Sequence, residues 1–139
     1  MPTYQKLLQL LSLSHIIAGL LLFLIFFLPS LHSPILSFIY IGQPNIPVSV
    51  EQLPFWICIF GPTIASWGML SLALIEQYFK APCTKLWWQF VVALALWAPL
   101  DTLLCITNNL YIGAALNTIV LIAFLMLWLK VKPLSANKL

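Results

Sequence analysis

Four apolar runs, each long enough to cross a lipid bilayer, constrain this chain more than any other feature: roughly Leu7 to Leu28, Pro54 to Phe79, Leu86 to Thr107 and Leu110 to Leu129. A helix needs about 20 mostly apolar residues to span the hydrocarbon core, and all four runs meet that length. With 63% hydrophobic and 6% charged residues over 139 positions, the chain has lipid as its main solvent and too little remaining sequence for a second domain. The expected fold is a single all-α integral membrane domain over residues 1–139. It is an antiparallel bundle of four transmembrane helices with an outer loop at 29–53. The first run exceeds the roughly 7–15 apolar residues of a secretory signal, and no A-x-A-like cleavage site follows it, so it reads as an uncleaved span.

Orientation follows from the six lysines, since the chain has no arginine. Lys6 precedes the first span, Lys80 and Lys85 separate the second from the third, and Lys130, Lys132 and Lys138 follow the fourth. All fall on one side, which the positive-inside tendency makes cytoplasmic, with both termini inside. The lack of eukaryotic targeting signals points to the bacterial inner membrane. The lysines form no clustered patch with interleaved aromatics, which sets nucleic-acid binding aside. Cys58, Cys83 and Cys105 contain no C-x-x-C pair and no zinc-type spacing, so no metal is assigned and the cofactor is left open.

Local signals mark the helix ends. Ser49 with Gln52 three residues on reads as a capping box for the second span, Thr84 as a cap for the third, and Asn108 or Asn109 as a cap for the fourth. Within the outer loop, Ser33-Pro34 followed by "ILSFIYI" and Gly42 predicts a short helix at the membrane interface or over the bundle mouth. The same "SFIYI" is rich in β-formers, so a strand is the alternative. Trp56, Trp87, Trp88 and Trp128 lie near span ends and read as an interfacial aromatic belt.

The segment "LWAPLDTLLC" carries the main anomaly, a carboxylate two residues after a proline inside the third span. At 1.5 Å per residue, Asp101 lies roughly 10 Å below the outer end of its helix, and Thr63 and Asn117 come out at about 13 and 12 Å in theirs. Three helices thus place polar side chains at one depth. A lipid-facing carboxylate costs several kcal/mol, so Asp101 is expected to face the interior, with Asn117 and Thr63 as partners. Pro62 and Pro99 each remove a helical hydrogen bond at this level, and paired kinks would open a cavity beside Asp101. An Asp–Asn–Thr cluster can equally be interhelical glue.

Further candidates for ligand binding are His15, Trp67 and Trp97. His15 is the one histidine within a span. It reads either as a proton carrier or, preferentially, as a neutral imidazole bonded to a serine or a backbone carbonyl. Trp67 and Trp97 sit mid-span and either line a pocket for a flat apolar molecule or fill the core. Cys58 and Cys105, near the outer ends of adjacent spans, either form a disulfide or act as two small apolar residues.

No nucleophile, base and oxyanion-donor set is recognisable. The leading expectation is therefore a non-catalytic accessory subunit packed in the bilayer against a larger membrane partner or its own copies. The alternatives are a carrier for an apolar or cationic small molecule that uses Asp101, and a membrane enzyme acting on a lipid-soluble substrate.

Overall fold

The computed structural model describes residues 2–41 and 51–132, without the side chains of Pro2 and of 53–58. The described chain is helical throughout: α1 (Pro2–Ile25), a 3-10 turn (Pro29–Leu31) running into the short α2 (His32–Ile39), then α3 (Leu53–Lys80), α4 (Thr84–Thr107) and α5 (Tyr111–Lys130). The four long helices α1, α3, α4 and α5 are apolar and long enough to cross a membrane. At 1.5 Å per residue even the shortest, α5, reaches about 30 Å.

The closest helix contact joins α1 to α3, because small residues line both faces. A Cβ placed on Gly19 would sit 2.4 Å from the Gly61 carbonyl oxygen and 2.5 Å from the Ala65 nitrogen. One placed on Gly68 would sit 2.8 Å from the Ser12 carbonyl oxygen. Pairing Gly19 with Gly61 and Ser12 with Gly68 makes the two helices antiparallel. Lipid supplies no hydrophobic drive between helices, so backbone approach of this kind is the main source of attraction.

The second helix pair, α4 with α5, is joined at the lysine-bearing end by two tryptophans. The Trp87 indole N–H donates to the Trp128 carbonyl at 3.2 Å, and the Trp128 indole returns the bond to the Trp87 carbonyl at 3.1 Å. The Tyr78 hydroxyl donates to the Val131 carbonyl, which ties α3 to the same place. Trp87 and Trp128 are therefore core residues, 3% and 0% exposed, and not members of an interfacial belt; Trp88, 51% exposed, does face outward. Indoles settle inside when their N–H finds an acceptor, and here the helix-end carbonyls supply it.

Around this lock lie Leu8, Ile75, Phe90, Leu94 and Phe124, all fully buried. Every large side chain of this core belongs to the half of the bundle nearest the lysines. In the half of the long helices away from the lysines the buried residues other than His15 are small, namely Gly19, Gly61, Ala98 and Ala114.

The helix ends depart from the expected caps. Cys83, not Thr84, caps α4, its sulfur accepting from the Leu86 N–H at 3.4 Å. Asn108 and Asn109 close α4 instead of opening α5, whose N-cap is Leu110. Asn109 adopts φ 59°, the left-handed conformation that asparagine tolerates. The Leu110 N–H then returns to the Cys105 carbonyl at 2.7 Å and the Asn109 N–H to that of Ile106 at 3.1 Å, a Schellman closure. Gln52 is the N-cap of α3 without a side-chain cap bond. Ser49 and Gly42 lie outside the described residues.

The outer-loop segment is a helix and not a strand, because His32, Leu36 and Tyr40, spaced by four, form one buried face. It starts at His32, one residue before Ser33, since the 3-10 turn feeds straight into it; Pro34 falls in the first turn, where its missing N–H costs nothing. Leu36 and Tyr40 pack with Ile25 and Leu110, and the His32 Nε2 contacts the Ile25 carbonyl at 3.1 Å. The helix thus covers the junction of α1 and α5 at the end away from the lysines.

Candidate functional site

Asp101 and Asn117 meet across the α4–α5 interface, as their common depth implies. The Asn117 Nδ2 donates to the Asp101 Oδ2 at 2.5 Å and lies 3.8 Å from the Cys105 sulfur. Gly113 makes room for that sulfur, since a Cβ there would approach it to 3.1 Å. Trp97, Asp101 and Cys105 follow one another at four-residue spacing along α4, each half-buried, as is Asn117. Cys105 carries a free thiol, and the side chain of Cys58 lies outside the described residues.

Thr63 does not join this cluster. It is exposed, and its hydroxyl donates to the Ile59 carbonyl of its own helix at 2.7 Å. The cause is angular: Gly61, Ala65 and Gly68 face α1, and a residue two positions from Gly61 is rotated by about 200° away from that contact. Pro62 and Pro99 are likewise exposed, and both α3 and α4 continue through them. A groove among the described residues lies elsewhere, on α4 near the lysine end, lined by Lys85, Trp88, Gln89, Val92, Ala93 and Leu96.

One turn below Asp101, the Trp97 ring joins three helices. It meets the His15 imidazole edge-on at 6.0 Å and the Trp67 indole at 5.3 Å. Trp67 in turn stacks on Phe90 at 6.5 Å and 18°, while His15 contacts Phe124 at 5.7 Å. The two mid-span tryptophans therefore pack on each other.

His15 is 8% exposed and its Nδ1 lies 2.7 Å from the Leu11 carbonyl oxygen. A carbonyl only accepts, so Nδ1 is the donor in this contact. His15 and Asp101 hold different partners, and no hydrogen bond joins them as an acid–base pair.

Two polar groups of this core have no partner among the described residues: the Trp67 indole N–H and the Ser71 hydroxyl, both buried. They are one turn apart on α3. Ser71 was not singled out from the sequence, although its four-residue spacing from Trp67 places both on one face. An unpaired buried donor costs about 1–3 kcal/mol, so these groups are the polar vacancy of the interior.

The electrostatics of the Asp101 pair are similarly incomplete. A carboxylate has room for about four hydrogen bonds, and one amide N–H leaves most of that capacity unused. At this depth the unused acceptor capacity calls for a further donor. Among the described residues no three His, Cys, Asp or Glu side chains gather as they would around a metal ion. No family of proteins, curated relative or solved structure matches the chain, so its reading rests on this geometry.

Proposed function

We propose that this chain is a small non-catalytic integral membrane protein, an accessory subunit packed within the bilayer against a larger membrane partner or its own copies. The observation that supports it is the half-buried Asp101–Asn117 pair, which has one internal hydrogen bond at a depth where water is scarce. A neighbouring transmembrane segment offering a donor would complete it, at a gain that model peptides put at about 1–2 kcal/mol per bond. The lysine distribution orients the termini toward the cytoplasm, and the bacterial inner membrane is the proposed location. Extraction from native membrane in mild detergent, followed by size analysis, tests the reading. A complex larger than the monomer is expected, and a stable, partner-free monomer counts against it.

A second reading has its own support in the unpaired Trp67 N–H and Ser71 hydroxyl. In it the protein is a carrier that binds an apolar or cationic small molecule, using these groups with Trp97, His15 and Asp101. It predicts binding that depends on pH, and Asp101→Asn should remove that dependence while the protein still folds. An unchanged pH profile rules the carrier out.

A further inference from the structure

The face of α4 turned away from the core carries a feature that the Asp101 pair does not explain. Lys85, Trp88, Gln89, Val92, Ala93 and Leu96 line a shallow groove of about 470 Å³, apolar along most of its length. Trp88, Val92 and Leu96 are 51%, 52% and 60% exposed, whereas Trp87, Phe90, Leu94 and Ala98 on the opposite side of the same helix are buried. By helical rotation the groove lies about 150° from Asp101. It is therefore a separate surface.

We propose that this groove binds one anionic phospholipid from the leaflet at the lysine-bearing end, with its acyl chain on Val92, Ala93 and Leu96 and its headgroup at Lys85. The distribution of chemistry along the groove supports this occupant. Its cationic residue is confined to one end, at the start of α4, and the remainder toward Leu96 is apolar. The eleven-residue rise from Lys85 to Leu96 is about 16 Å, close to the ~15 Å of hydrocarbon in one leaflet. Trp88 sits where aromatic rings prefer the interface.

A second cation stands at the headgroup end. The Lys132 ammonium lies 5.4 Å from the Trp87 ring centre, and that ring meets Trp88 edge-on at 5.0 Å. The cation–π contact places Lys132 over Trp87, whose ring borders the Trp88 indole of the groove wall. Lys85 in the groove and Lys132 at the same end of the helix pair suit a phosphate-bearing headgroup with net negative charge, whereas a zwitterionic headgroup has its own ammonium to repel them. A transmembrane helix from a partner would gain little from the charge at this end.

Native mass spectrometry of the full chain, offered equal amounts of phosphatidylglycerol and phosphatidylcholine with identical acyl chains, tests the assignment. Retained phosphatidylglycerol should exceed phosphatidylcholine, and Lys85→Gln and Lys132→Gln should each lower its retention roughly fivefold. Lys85 is exposed, so Lys85→Gln should keep the wild-type melting temperature, whereas Lys132→Gln also loses the contact with Trp87 and should melt about 2–3 °C lower. Leu96→Trp, which fills the apolar end, should lower retention of either lipid. Equal retention of the two lipids, or phosphatidylglycerol retention unchanged in Lys85→Gln, overturns the proposal. So does a dimer that carries no lipid.

Discussion

Gly19→Ala is the most discriminating single change for the packing of α1 on α3. The added methyl would lie 2.4 Å from the Gly61 carbonyl oxygen and 2.5 Å from the Ala65 nitrogen, both backbone atoms that no rotamer change can move. Unstrained contacts require about 3.5 Å, so the helices must part by roughly 1 Å at the crossing. That separation loosens the tightest interface of the molecule, and overpacking of this kind costs about 1–3 kcal/mol. Immovable neighbours place Gly19→Ala near the top of that range, about 2–3 kcal/mol. For a chain of this length that lowers the melting temperature by about 6–9 °C. The internal comparison is Gly113→Ala, whose methyl is crowded by the Cys105 sulfur at 3.1 Å, a side-chain atom that can shift, and otherwise meets the Cys105 and Leu110 Cβ atoms at an ordinary 3.8 Å. Its melting temperature should stay within about 2 °C of wild type. Thermal unfolding of both variants in one detergent decides the matter. Equal melting temperatures for Gly19→Ala and Gly113→Ala would show that the α1–α3 approach is not as close as described.

Two further outcomes follow from the side-chain geometry. Trp87→Phe and Trp128→Phe each remove one of the paired indole–carbonyl bonds and should destabilise by about 1–2 kcal/mol, read as a lower melting temperature; a neutral result would mean that the lock contributes nothing. Thr63→Val removes an exposed hydroxyl bonded to its own helix, so stability should stay within about 0.5 kcal/mol and any activity tied to Asp101 should be unaltered; a loss of that activity would return Thr63 to the site.

Depth along the membrane normal was legible in the sequence, and rotation about each helix axis was not. Run lengths and helical rise located the four long helices and brought Asp101 level with Asn117, and the two do bond. The same arithmetic placed Thr63 at that level, yet it points outward, because the face of α3 is set by where Gly61 and Gly68 let α1 approach. Trp87 and Trp128 carry the same lesson. Their positions near helix ends suit an aromatic belt, but helical spacing aligns Trp87 with Phe90 and Leu94, and all three are buried. The asparagines at 108 and 109 look like a start signal in the sequence because a cap preference does not say which helix the residue serves. The left-handed backbone at Asn109 makes them a stop.

The central claim is that the Asp101–Asn117 pair is completed by a neighbouring transmembrane segment. The direct measurement is the mass of the detergent-solubilised particle from native membrane, compared between wild type and Asp101→Leu, with the melting temperature of each purified chain as the control for folding. The account predicts that wild type elutes with a partner or as an oligomer, and that Asp101→Leu elutes as a folded monomer. A wild-type monomer, or an assembly unchanged by Asp101→Leu, would contradict it.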